Sequence, residues 1–331
     1  MKRKIQLTFI STLLLASISL AQQSDKIISQ KVDSLLADAF EKGMFTGQVS
    51  ITRNGDNIYY KQLGFADWES KRAIDKNTLF NIASLTKQFT EEMIHQLVNE
   101  NKLSYTDNLS KYLDLYPAET GNKISVQMLL DMSAGLGDYL RNPEFRDLEH
   151  TDYSLADLIA LIKTEPLMYE PGTSRQYSNS SYAVLGAILA KITNQSYEKN
   201  LQDRIVKPLG MEKIYYSKAE KATQMNRAYG TQINFEGVKM SFDDISNSQP
   251  AGGTYTTIDN LLKFTEAKLK NTLPSGKNYG SDSFAGGNPG WNASINYNEE
   301  NVVAFVVMAN TGGISDALTP RINSIIKNEP Y

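Results

Sequence analysis

The segment Val302–Met308 reads VVAFVVM, apolar at every position, and a strand with that pattern has to be covered on both faces. It belongs at the centre of a sheet, with a partner on each side. One partner precedes it: WNASINYN is followed by the polar turn Glu299-Glu300-Asn301, so the pair reads as a hairpin. Strand patterning recurs at the other end of the chain. There GQVSITRNGDNIYYKQLGFA alternates around Asn54-Gly55, the dipeptide that most strongly signals a two-residue hairpin turn. Between these ends the periodicity is helical from Ser84 to about Leu269, marked by Phe89, Met93, Ile94 and Leu97 and again by Val184, Leu185, Ile188 and Leu189. A helix over Ile28–Phe40 ends at Gly43, and another over Leu318–Ile326 closes the chain. The expected fold is α+β: an antiparallel sheet built from both chain ends and flanked by helices, with a mostly helical region inserted. The sheet portion would cover about residues 22–80 and 250–331, and the helical portion about 84–250.

With 331 residues, 41% of them hydrophobic, the chain can bury a full core. Its 34 basic and 37 acidic residues are mixed along the sequence, with no basic block for a phosphate backbone, so nucleic acid is not an expected partner. Lys2, Arg3 and Lys4 precede a short apolar run and Ser19-Leu20-Ala21, which reads as a secretory signal over residues 1–21, cut after Ala21. The run is shorter than the roughly 20 residues of a spanning helix, so no stable membrane insertion is expected after cleavage. The expected location is periplasmic or secreted. The absence of cysteine excludes disulfides, a thiol nucleophile and a thiolate metal site.

Three segments could carry chemistry. In NIASLTKQFTEEM, residues 81–93, Ser84 and Lys87 stand three apart and share a helix face. The spacing alone says little, because Ser196/Lys199 and Ser324/Lys327 repeat it; Ser196 reads as a helix cap and Lys327 as solvated. Only Ser84 is bracketed by small and apolar residues, which would bury its hydroxyl at a helix N-terminus. There the dipole favours a developing oxyanion, and a buried Lys87 would have the lowered pKa of a general base. A cap followed by a solvated lysine fits the same residues. In EPGTSRQYSNSSY, Tyr177 could relay a proton and Asn179 could orient the lysine and bond a substrate carbonyl; a capped turn before a helix over Ser180–Thr193 is the plainer account. In FAGGNPGW, residues 284–291, a glycine N–H could complete an oxyanion hole, or the segment is a simple turn. Of the two histidines, His95 reads as a surface residue. No Gly-x-Ser-x-Gly elbow supports a serine triad, and two distant histidines make a poor zinc site.

Taken in order, these segments resemble the serine β-lactamase and penicillin-binding-protein superfamily, in the branch of class C β-lactamases, DD-peptidases and related esterases. LLDMSAGLGDYL (129–140), IVKPLGM (205–211) and PAGGTYTTIDNLLKF (250–264) extend the likeness over about residues 45–313. The resemblance implies Ser84 as acylated nucleophile, Lys87 as its base, Tyr177 as proton relay and Asn179 as ligand of lysine and substrate. It implies an oxyanion hole shared by the N–H groups of Ser84 and Gly287, and no metal or organic cofactor. The family's third motif, a Lys or His followed by any residue and then Gly, falls on Phe284, Ala285 and Gly286. Without that cation a less electropositive pocket is expected, and weaker β-lactam hydrolysis. A second departure puts Asp131 and Met132 where relatives carry Thr and His. The implied activity is that of an exported serine hydrolase or acyltransferase on peptide amides or esters, cell-wall fragments among them. The contrasting reading is a degenerate binding or sensing module that kept the fold and lost turnover.

Overall fold

The computed structural model describes residues 2–148, 153–233, 236–243 and 249–329. Helix α1 (Lys2–Glu41) leads through Gly43, at φ 71°, into strands β1 (Gly47–Arg53) and β2 (Asp56–Leu63). Asn54 and Gly55 join them with φ of 56° and 92°, the left-handed pair that matches the twist of a tight hairpin. Helices α2 (Thr86–Asn99), α3 (Leu155–Lys163) and α4 (Asn179–Thr193) follow. A short hairpin, β3 (Gly230–Ile233) and β4 (Lys239–Phe242), interrupts the helical stretch. Then come α5 (Ile258–Leu269), strands β5 (Asp282–Asn288), β6 (Trp291–Asn298) and β7 (Val303–Ala309), and α6 (Ile314–Lys327).

The sheet order is β2-β1-β7-β6-β5, with every neighbouring pair antiparallel. The apolar run therefore lies at the centre, where Val306 pairs with Ser50 on one side and Ile295 on the other. Its side chains alternate between two cores. Phe305 and Val307 face α1 and α6 with Val32, Leu36 and Ile322, whereas Ala304, Val306 and Met308 join the larger cluster with Phe264, Phe89 and Leu185. Each fully buried aliphatic side chain contributes roughly 1.5–3 kcal/mol, so both faces of this strand matter to stability.

The inserted helices pack on that second core. Phe89 of α2 meets Phe264 of α5 edge-to-face at 4.8 Å. Helix α4 is capped by Ser178, which accepts the Ser181 N–H, so Asn179 becomes its first residue rather than its cap. A two-residue ladder, Phe80–Asn81 against Tyr255–Thr256, ties the chain entering α2 to the chain entering α5. Among the described residues no helix is long and apolar enough to cross a membrane, and no acid, histidine or cysteine cluster could hold a metal.

Candidate active site

The turn before α2 is held from several directions. Asn81 Oδ1 accepts the Ala83 N–H at 2.8 Å, Thr86 Oγ1 donates to the Ala83 carbonyl at 2.8 Å, and the Ile82 N–H donates to Thr254 at 2.9 Å. These contacts keep Ala83 at φ 45°, a left-handed conformation that an alanine leaves unless its surroundings enforce it. Ser84 follows in a single 3-10 turn, Ala83–Leu85. Its side chain is half-buried and open to a cleft, not enclosed as the flanking residues suggested. Ser196, by contrast, caps a surface helix by accepting the Lys199 N–H, and Lys327 is exposed.

Lys87 lies one turn into the protein and is 4% exposed. Its Nζ is 2.7 Å from Asn179 Oδ1, 2.6 Å from the Ala251 carbonyl and 3.1 Å from Ser84 Oγ. Burial lowers its pKa to about 7, against the pull of the Asp138 carboxylate, which raises it. A neutral amine has two N–H groups and one lone pair. The two carbonyl oxygens can only accept, so they take both N–H groups and leave the lone pair for the Ser84 proton.

Tyr177 brings its hydroxyl within 2.6 Å of Ser84 Oγ and 3.4 Å of Asn179 Oδ1. Burial raises its pKa, although the Ser84 contact works the other way, so at neutral pH the phenol keeps its proton. Asn179 is fixed by Asp138, whose two oxygens accept from Asn179 Nδ2 at 3.1 and 3.0 Å. That pairing turns Oδ1 toward the lysine. The structure thus brings Ser84, Lys87, Tyr177 and Asn179 into one connected network.

FAGGNPGW is not a turn throughout: Phe284, Gly286 and Gly287 lie in the edge strand β5, and only Pro289-Gly290 turns. Asn288 and Trp291 close this two-residue turn as a hydrogen-bonded pair, which makes Gly287/Asn292 a non-bonded pair and aims the Gly287 N–H off the free edge. The strand passes very close to the nucleophile turn. A Cβ on Gly286 would lie 2.6 Å from the Leu85 nitrogen and 2.8 Å from the Ser84 nitrogen, so no side chain fits there.

Two clefts meet at Ser84 and Tyr177. One, of about 570 Å³, runs past Lys87, Phe284 and Ala285 to Glu91 and His95; the other, of about 640 Å³, is bordered by Tyr139, Phe145, Asn179, Phe242, Gly287 and Trp291.

The beta-lactamase family model matches residues 25–322. The chain belongs to the beta-lactamase family. Among curated relatives, Penicillin-binding protein 4* of Bacillus subtilis (strain 168) is 29% identical over 194 residues, covering 57% of this chain and 42% of that protein. Protein flp of Staphylococcus aureus (strain MRSA252) is 28% identical over 186 residues, covering 55% of this chain and 37% of that one. The matches thus span less than half the length of these relatives. In fold, the chain is similar to a penicillin-binding protein from Bacillus halodurans (TM-score 0.77, 21% identity, 88% of this chain and 98% of that one). It is similar also to D-amino acid amidase from Ochrobactrum anthropi SV3 (TM-score 0.75, 20% identity, 92% and 99%) and to EstCE1, a hydrolase with promiscuous acyltransferase activity (0.73, 19%, 92% and 98%).

In this beta-lactamase family member, one further sequence expectation needs correction. His95 is not a surface residue: it is 5% exposed, and its Nδ1 is 2.7 Å from the Tyr105 hydroxyl. Phe284 lines the cleft at the position where the family's third motif carries a cation. Lys277 and Arg175 line that cleft together with Glu91 and Asp131, whereas Lys268 of α5 is fully buried behind the ring, 4.7 Å from its centroid. Sequence reasoning missed Asp138, Ala251 and Lys268. Asp138 lies within the quoted LLDMSAGLGDYL, but nothing about its neighbours announces a carboxylate aimed at an amide 41 positions later. The other histidine, His150, lies outside the described residues.

Proposed function

We propose that this chain is a serine hydrolase that forms an acyl-enzyme on Ser84 and acts on amides or esters of peptides and related acyl compounds. One observation carries the reading: a buried amine, its pKa pushed down to about 7 by burial, stands 3.1 Å from Ser84 Oγ with its other contacts on two carbonyl oxygens, while the Tyr177 hydroxyl touches the same Oγ. Lys87 takes the Ser84 proton as Oγ bonds to the carbonyl carbon. The carbonyl oxygen becomes an oxyanion beside the Ser84 and Gly287 N–H groups, at the start of α2 and the free edge of β5. The bond to the leaving group then breaks as Tyr177 hands that group its proton, and the Lys87 ammonium restores the phenol through the network. Water attacks the acyl-enzyme by the reverse proton path and frees Oγ. A carboxylate held at Asn179 keeps the amide oriented throughout.

The names of similar proteins, an amidase and a hydrolase with acyltransferase activity among them, support chemistry at a carbonyl, and we propose cell-wall fragments among the substrates. Incubation with a fluorophosphonate followed by intact-mass analysis tests the assignment. A single adduct located on Ser84 and abolished in Ser84→Ala is expected; no adduct at any pH from 6 to 10 would instead favour a binding module. We also propose export with loss of residues 1–21, for which the mature chain should begin at Gln22; a secreted chain still carrying Met1 would overturn it.

A further inference from the structure

The cleft of about 570 Å³ ends in a polar cluster that the acylation chemistry leaves unused. Ser84, in the turn before α2, and Gln88, Glu91 and His95 of α2 follow one another at four-, three- and four-residue spacing along the face that borders the cleft. At about 1.5 Å per residue, Glu91 stands about 10 Å beyond Ser84. Lys277, on the segment that leads into β5, reaches over this end: its Nζ is 3.3 Å from Glu91 Oε1 and 2.6 Å from His95 Nε2.

The hydrogen bonds in this cluster can be assigned by elimination. An ammonium has no lone pair, so His95 Nε2 accepts from Lys277 and the ring proton sits on Nδ1. Nδ1 therefore donates to the Tyr105 oxygen at 2.7 Å. In that tautomer the 3.2 Å approach of Nε2 to Glu91 carries no proton, and Lys277 bridges the two groups. Within this four-residue cluster of Glu91, His95, Tyr105 and Lys277, two donors make no hydrogen bond to a described residue: the O–H of Tyr105 and the third N–H of Lys277, whose Nζ also stands 5.0 Å from the Tyr279 ring centroid; both residues line the cleft. The exposures order the charges. The Lys277 side chain is 38% exposed, that of Glu91 18% and that of His95 5%, so the cation faces the cleft with its counter-charge behind it. Of the other charged groups along this cleft, Arg175 adds a cation, and Asp131 accepts from Gln127 at 2.9 Å.

We propose that Lys277 and Tyr105 form a subsite for a substrate carboxylate about 10 Å from Ser84. One charged and one neutral donor suit the two oxygens of a carboxylate. Extended peptide spans roughly 3.3 Å per residue, so the preferred substrate is a peptide whose free C-terminal carboxylate lies about three residues beyond the bond attacked. The substrate part of this inference rests on the hydrolase reading, but the subsite is testable without turnover.

Calorimetry on the Ser84→Ala variant would compare N-acetyl-tetraalanine as the free acid and as the C-terminal amide. The acid should bind at least tenfold tighter, Lys277→Gln should erase the difference, Lys277→Arg should keep most of it, and Tyr105→Phe should reduce it severalfold. Acid and amide binding alike, no binding of either, or a preference that survives Lys277→Gln would overturn the subsite. A wild type that never acylates while Ser84→Ala still selects the acid would overturn the hydrolase reading alone. A competent hydrolase indifferent to the carboxylate would overturn the subsite alone.

Discussion

In the proposed mechanism, Lys87 ties activity to pH. Its lone pair is needed for proton abstraction, so kcat/KM for a neutral ester should rise as pH increases through about 7 and level off above. Asp138 should act on that profile without touching substrate. Its charge raises the Lys87 pKa and its oxygens hold the Asn179 amide, so Asp138→Asn should shift the limb to lower pH and reduce kcat about tenfold. A carboxylate with a merely structural part would leave the limb in place. The same lysine also enters the stability of the fold. The unfolded chain keeps this proton up to its ordinary value of 10.5 and the folded chain only to about 7, so between those values the unfolded form binds more protons and stability rises with pH. Lys87→Met removes the penalty. Thermal melts should therefore favour the variant over wild type more at pH 7 than at pH 10. Ser84, Lys87, Tyr177 and Asn179 could be named as candidates because their stretches, taken in order, resemble the family's, and the fold places them in one network; Asp138 and Ala251 could not, because their contribution is a direction in space that only the fold creates.

Strand β5 works by being thin. The Cβ of Gly286→Ala would meet three backbone atoms of the nucleophile turn at 2.6 to 2.8 Å, and none of them can rotate away. The strand would have to withdraw, carrying the Gly287 N–H with it, so this variant should lose at least 100-fold in kcat and about 1–3 kcal/mol of stability, read by ester hydrolysis and denaturant melts. At Gly287 the nearest atom is Asn292 Nδ2 at 2.9 Å, the end of a side chain that can shift. Gly287→Ala should accordingly cost less on both measures, and equal losses would show that strand position is not what matters. The contrast also explains which elements could be read in advance. The β1–β2 hairpin and central β7 announce themselves through Asn54-Gly55 and an unbroken apolar run, whereas β5 has glycines where a pattern of side chains would be. The β3–β4 hairpin is half-exposed with mixed polarity, which leaves no period to detect. Lys268 on α5 looks solvated in sequence, but the strands crossing beneath it bury it against Phe284 and Tyr279.

At the scale of the molecule, the sheet separates two cores, and the site borders only one. The ends of the chain could be assigned to a common sheet because β7 required two partners; that the site would form where β5 passes the start of α2 depends on long-range packing that no local pattern encodes. The separation has a measurable consequence. Ile322 of α6 is fully buried with Val32, Leu36 and Phe305 on the face away from the cleft. Phe89 of α2 is fully buried on the cleft side, two residues after Lys87. Truncating either leaves a cavity, about 2–5 kcal/mol for Ile322→Ala and about 3–5 kcal/mol for Phe89→Ala, so both variants should melt several degrees lower. Their activities at 25 °C should diverge. Ile322→Ala leaves the strands between it and Ser84 in register and should keep kcat/KM within twofold of wild type. Phe89→Ala lets α2 settle toward α5 and should cost tenfold or more, because the lone pair of Lys87 is useful only when it stays aimed at Oγ. If Ile322→Ala lost activity in proportion to its loss of stability, the two cores would be acting as one, and the sheet would transmit packing changes to the cleft rather than shield it.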